Sequence, residues 1–152
     1  MDLRERIAEA TKDAMRARTA ERLSVLRLMG SALKDRDIAA RGEGQPVPVP
    51  DDGLLAVLAR MVKQRQESVR AYEGAGREDL AGKERDEIAI IEEFLPRQLS
   101  EAESEAAVAL AIADEGASSL KDMGRVMAAL RARHAGQMDF AKVGPMVKAR
   151  LA

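Results

Sequence analysis

Around Pro96, one helix ends and another begins, and this limits the chain to a helical fold in two parts. Ile88, Ile91 and Leu95 recur at spacings of three and four residues, which places them on one face of a helix. Pro96 lacks an amide hydrogen and disfavours helical geometry in the residue before it, so that helix should end at Leu95. Ser100, followed three residues later by a glutamate, has the form of a capping box and predicts a new helix.

Apolar residues follow helical spacing along the whole chain, so the sequence predicts an all-α fold. Aromatic residues make up only 2% of the chain, and a core of aliphatic and methionine side chains suits helices packed on helices. We expect an N-terminal helical hairpin or bundle of about four helices over residues 1–96, joined to a small three-helix domain over residues 97–152. The predicted helices cover 2–17, a segment after Thr19, 52–73, 78–95, 101–115, a segment from Ser119 and a segment capped by Asp139.

Four residues carry expectations about local structure. Thr19 should cap the second helix with its side-chain oxygen. Gly30 lies on the apolar arc of that helix, where its low helix propensity suggests the close approach of a neighbouring helix. Leu120 should lie on the core face of the sixth helix, and Pro145 should kink or restart the seventh.

The composition excludes several kinds of site. The chain has no cysteine and a single histidine, so we expect no disulfide, no zinc centre and no thiol nucleophile. That histidine, His134, lies at the end of a helix, where the helix dipole favours it as a capping residue. We therefore predict no catalytic residues, no metal site and no cofactor. Without a long apolar run or a leader-like segment, the sequence also predicts a cytoplasmic protein that does not enter the membrane.

One charged cluster is expected to serve the fold. Arg65 falls on the apolar face of the third helix, while Glu84 and Glu87 lie in line with apolar residues of the fourth. A charge on an apolar face usually meets an opposite charge. We predict a structural ion pair between Arg65 and Glu84 or Glu87, with Asp79 as a further alternative.

The C-terminal third has one acidic and one basic part. Residues 99–116 contain five acidic residues and no Lys or Arg, whereas residues 117–152 contain seven basic residues and two acidic ones. Exposed Lys and Arg side chains can follow a nucleic-acid backbone, and the start of the sixth helix offers amides that suit a phosphate. An ordinary solvated surface is the alternative interpretation. The candidate nucleic-acid contacts are Lys121, Arg125, Arg131, Arg133, Lys148 and Lys63, with Lys142 and Arg150 on the same basic surface.

Five short strings in the right order make the whole chain resemble the YqeY-like (GatB/YqeY) family, a small, bacterial, all-helical family. Singly each string is weak, but five in register are specific. Lys63, Arg65, Arg77 and the run from Lys121 to Arg125 fall in these motifs. The strings are ERLSVLRLM (21–29), KQRQES (63–68), GREDL (76–80), FLPRQL (94–99) and KDMGRVM (121–127).

The resemblance implies a role connected with tRNA. A similar domain forms the tail of the B subunit of the aminoacyl-tRNA amidotransferase, where it meets tRNA while other domains carry out the amidation. Three functions follow as hypotheses: a tRNA-binding accessory protein without catalysis, a carbon–nitrogen ligase using glutamine as amide donor, and a helical interaction module. The last would dock on an amidotransferase or an aminoacyl-tRNA synthetase, and Leu110, opposite the apolar stripe of its helix, favours it.

The last helix departs from the family pattern. Phe140 stands where a small residue usually follows the capping aspartate, and Pro145 interrupts the helix.

Overall fold

A computed structural model describes all residues, 1–152, and its regular elements are all helical, which confirms the predicted all-α fold. The elements are α1 (Leu3–Ala17), α2 (Ala20–Gly42), α3 (Asp51–Gly74), α4 (Glu78–Glu92), α5 (Glu101–Asp114), a 3₁₀ turn (Leu120–Asp122), α6 (Met123–Arg133) and α7 (Phe140–Leu151). No helix is long and apolar enough to cross a membrane.

The chain divides into two compact units, Met1–Leu95 and Pro96–Ala152. In the N-terminal unit, α1 packs on α2 and α3 packs on α4, while α2 also contacts α3 and α4. Its core is formed mainly by aliphatic and methionine side chains, among them Leu26, Met29, Leu54 and Ile91, and it includes Phe94. In the C-terminal unit, α5, α6 and α7 contact one another around a core that includes Val108, Val126, Leu130, Val143 and Val147.

The helix starts of the C-terminal unit follow from local side-chain chemistry. Ser100 accepts a hydrogen bond from the Glu103 amide at 3.1 Å, and Glu103 accepts one from the Ser100 amide at 3.0 Å, so the predicted capping box is confirmed. Asp139 caps α7 by accepting from the Ala141 amide at 3.0 Å, as expected. Pro145 lies inside α7, which continues as one helix to Leu151 and does not restart.

Three local expectations are wrong. Thr19 donates its hydroxyl to the carbonyl of Ala14, 3.3 Å away, and makes no side-chain cap on α2. Gly30 is exposed, and a Cβ at this position would meet nothing within 4 Å, so no neighbouring helix explains it. Leu120 is 47% exposed because it begins a 3₁₀ turn, and α6 starts only at Met123.

Arg65 joins α3 to α4 through a partly buried ion pair. Its Nε lies 3.2 Å from Oε2 of Glu87, and the two side chains are only 15% and 16% exposed. Nη1 of Arg65 also donates to the Met61 carbonyl at 3.1 Å. Of the three carboxylates considered from the sequence, the structure therefore places Glu87 against Arg65, whereas Asp79 pairs with Arg77 at 3.1 Å.

Arg65→Ala should lower the free energy of unfolding by about 1–3 kcal/mol, because it leaves a partly buried carboxylate without its partner. Arg70→Ala on the same helix is the matched control, since Arg70 is exposed and makes no ion pair. That control should stay within about 0.5 kcal/mol of the wild type in urea denaturation. Equal stabilities of the two variants would show that the Arg65–Glu87 pair does not stabilise the fold.

Candidate nucleic-acid interface

Two arginines of α6 are held by groups at the end of α5 and in the 3₁₀ turn before α6. Nη1 of Arg133 lies 2.9 Å from Oδ2 of Asp114. Nη1 of Arg125 donates to the Glu115 carbonyl at 3.1 Å, and its Nη2 lies 2.9 Å from Oδ1 of Asp122. Arg125 and Arg133 are exposed, as expected of candidate contacts, but each is already in an ion pair.

The backbone before α6 is also engaged. Oδ2 of Asp122 accepts hydrogen bonds from the amides of Ser118 at 2.9 Å and Ser119 at 3.3 Å. These amide bonds, the Ser118 one most of all, together with Arg125, lower the pKa of Asp122 below its ordinary value. Two amides just before the 3₁₀ turn are thus occupied by a carboxylate of the chain itself.

Arg131 is held in a different way, over the ring of Phe140. Its guanidinium carbon lies 5.6 Å from the ring centroid, a geometry typical of a cation–π contact between α6 and the start of α7. This contact leaves the cation exposed and without a carboxylate partner. Phe140, the residue that departs from the family pattern, thus orients a basic side chain.

Helix α7 carries the unpaired charge of the C-terminal unit. Lys142, Lys148 and Arg150 are exposed, make no ion pair, and share the helix with no acidic residue. Lys121, in the 3₁₀ turn before α6, is likewise exposed and unpaired. The buried face of α7, formed by its valines and Leu151, keeps these cations on the solvent side.

The six predicted contact residues are therefore in different situations. Lys121 and Lys148 are exposed without an ion pair, Arg131 lies over Phe140, and Arg125 and Arg133 are paired with acidic groups. Lys63 is exposed on α3 and belongs to the N-terminal unit.

The sequence interpretation missed Ser104, which is the buried polar residue of the chain, at 9% exposure. Ser104 precedes Val108 by four residues and Ala111 by seven, so it continues their apolar stripe along α5. A polar residue on the apolar stripe of a helix is the sequence signal that could have identified Ser104. It lines a pocket of about 430 Å³ in the C-terminal unit.

Comparison with known proteins identifies the family. The family model described as Yqey-like protein matches residues 4–151. The chain belongs to the YqeY-like family. The resemblance seen in the five sequence strings is thereby confirmed over nearly the full length of the chain.

Curated relatives of this YqeY-like chain come from yeasts. A protein of Vanderwaltozyma polyspora named altered inheritance of mitochondria protein 41, mitochondrial, is 31% identical over 84 residues, which cover 55% of this chain and 43% of the relative. The protein of the same name from Saccharomyces cerevisiae is 29% identical over 84 residues, with the same coverage. The match thus spans less than half the length of these relatives.

The exposed ion pair of Arg97 and Glu103, close to Pro96, makes the stability of the fold depend on pH. Arg97 lies 2.8 Å from Glu103, and its hydrogen bonds, followed by the bond from the Ser100 amide, lower the pKa of Glu103 from 4.5 to about 2. Because the pKa is lower in the folded state, the ionised Glu103 stabilises the fold above pH 4.5, and this contribution is lost as the pH falls towards 2.

In an NMR titration of the side-chain carboxyls, Glu103 should titrate near pH 2 in the wild type. Arg97→Ala should raise its pKa towards 4.5 without reaching it, since the Ser100 amide still donates. Arg77→Ala in the N-terminal unit should leave the titration of Glu103 unchanged. A Glu103 pKa that does not respond to Arg97→Ala would contradict the assigned cause.

Proposed function

We propose that this YqeY-like protein is a cytoplasmic accessory protein that binds tRNA and has no catalytic activity of its own. The observation that supports the proposal is the charge of α7, which carries Lys142, Lys148 and Arg150 without an acidic residue or an ion pair. Unpaired, exposed cations can contact phosphates and release the counterions of the nucleic acid, which favours binding. Lys121 and Arg131 extend the set of available cations to the start and end of α6.

The ion-paired arginines can join this surface at small cost. Exposed ion pairs are worth about 0–1 kcal/mol, so a phosphate can displace Asp122 from Arg125 or Asp114 from Arg133. The unpaired cations of α7 can contact a phosphate without first losing a carboxylate partner. We therefore assign the principal phosphate contacts to Lys142 and Lys148, and a secondary role to Arg125 and Arg133.

We assign catalysis to a partner protein of this chain. The amidotransferase tail domain that this family resembles meets tRNA while other domains carry out the chemistry. By that analogy, an amidotransferase or an aminoacyl-tRNA synthetase is the kind of partner we propose. The alternative, carbon–nitrogen ligation by this chain alone, predicts glutamine-dependent amide transfer to charged tRNA by the purified protein, and mass spectrometry of the charged tRNA should show no turnover.

Fluorescence anisotropy with labelled total tRNA should detect binding that weakens steeply with salt. If about three to four phosphates are neutralised, the slope of log K against log salt concentration should be roughly −2 to −4. Lys142→Glu combined with Lys148→Glu should reduce the affinity at least tenfold, because both substitutions replace attraction with repulsion.

Lys12→Glu combined with Arg16→Glu is the matched control, since it changes the net charge equally on exposed positions of α1. The control should retain most of the tRNA affinity. Equal losses in the two double variants would mean that only overall charge matters, and salt-independent binding or no binding at low salt would refute the proposal.

A further inference from the structure

Ser104 points to a binding site that the proposed tRNA contacts do not explain. It is 9% exposed, and its hydroxyl makes no side-chain hydrogen bond within the protein. Every side-chain oxygen or nitrogen that is fully shielded from solvent in this chain has a hydrogen-bond partner. Since the Ser104 hydroxyl has none, it must be partly accessible to solvent. Because Ser104 lines a pocket, its hydroxyl remains available to a group that enters there.

The pocket lies within the C-terminal unit and is lined by both apolar and polar side chains. Its volume is about 430 Å³, within the range of small binding pockets. The linker before α5, the loop before α7 and the first turns of both helices surround it. Its apolar lining residues are Leu99, Met138, Val143 and Met146.

Three other polar residues of the pocket are committed to the fold, and one of them, Asp139, caps α7 by accepting a hydrogen bond from the Ala141 amide at 3.0 Å. Gln98 donates its amide nitrogen to the Gly136 carbonyl. Gln137 donates to the Arg97 carbonyl at 3.1 Å, and its oxygen lies 3.1 Å from Nδ1 of His134. These bonds hold the linker and the loop together, so the carboxamides support the pocket walls.

Two charged groups of the pocket have no partner. Glu101 on α5 and Lys142 on α7 are exposed, make no ion pair, and do not pair with each other. A complementary ligand therefore has an apolar group, a cation near Glu101 and an anion near Lys142. A nucleobase fits poorly, because no aromatic side chain lines the pocket for stacking.

We propose that this pocket docks a peptide segment of a partner protein, in which an apolar side chain is flanked by a basic and an acidic residue. The apolar side chain enters between the methionines, whose flexible thioethers adapt to differently shaped side chains. The basic residue pairs with Glu101 and the acidic residue with Lys142, while Ser104 bonds a backbone amide or carbonyl of the peptide. The site shares only Lys142 with the tRNA surface and does not depend on tRNA binding.

The full chain, labelled with ¹³C at its methionine methyls, tests the proposal by NMR. The probes are Ac-Lys-Leu-Leu-Glu-NH₂ and Ac-Glu-Leu-Leu-Lys-NH₂, with Ac-Gln-Leu-Leu-Gln-NH₂ and Ac-Lys-Ser-Ser-Glu-NH₂ as controls. At least one charged leucine peptide should shift the methyl signals of Met138 and Met146, assigned with Met→Leu variants. The uncharged peptide should bind roughly two- to fivefold more weakly, and the serine peptide should cause no shift.

Two kinds of variant locate the binding. Ser104→Met should fill the pocket and abolish the shifts, whereas Ser118→Met, the same substitution at an exposed serine, should leave them unchanged. If Ser104→Met does not fold, Glu101→Gln decides instead, since this exposed substitution should weaken binding of the charged peptide roughly two- to fivefold. Ser104→Met, when folded, should bind tRNA like the wild type, which separates this site from the proposed tRNA surface.

Three outcomes would overturn the proposal. The first is the absence of shifts at Met138 and Met146 with both charged leucine peptides. The second is binding that is unchanged in the folded pocket variant, or in Glu101→Gln. The third is shifts produced by free leucine or a short oligonucleotide as strongly as by the peptides, which would assign the pocket to an amino acid or to RNA.

Discussion

The charge surface of the C-terminal unit depends on ion pairs between the end of α5 and α6. Asp114 and Glu115 lie where Arg133 and Arg125 can reach them, and Asp122 adds a second carboxylate beside Arg125. These contacts neutralise the positive charges of Arg125 and Arg133 within the unit. Helix α7 has no acidic residue, so its cations have no equivalent partner on their own helix. A nearly neutral chain thus presents a concentrated positive charge on one helix, which is the feature that a polyanion recognises.

Backbone hydrogen bonding organises the same unit. Ser100 and Asp139 cap α5 and α7, while Asp122 satisfies two amides before α6. The linker after Pro96 is fastened to the loop before α7 by a bond from the Leu99 amide to the Gln137 carbonyl at 3.0 Å. These polar groups have hydrogen-bond partners within the unit, whereas other polar and charged groups of the unit have none. Among them are the cations of α7, Lys121 and, in the pocket, the hydroxyl of Ser104 and the carboxylate of Glu101.

Much of the fold was predictable because helix ends leave strong local signals. The capping pattern at Ser100, the cap at Asp139 and the apolar periodicity all depend on residues close in sequence. The contacts of Arg125 and Arg133 with the end of α5 join residues 10 and 19 positions apart, and helical spacing cannot show which groups meet there. Leu120 was misplaced because its 3₁₀ turn shifts the helical phase that a continuous α-helix would impose.

The most direct test of the α7 surface is photo-crosslinking of the full chain to tRNA that contains 4-thiouridine, with the attached peptides mapped by mass spectrometry. Crosslinks should concentrate in residues 140–151, with weaker ones in residues 121–133, and excess unlabelled tRNA should remove them. Crosslinks that concentrate in α5 or in the N-terminal unit, while residues 140–151 remain unmodified, would contradict it.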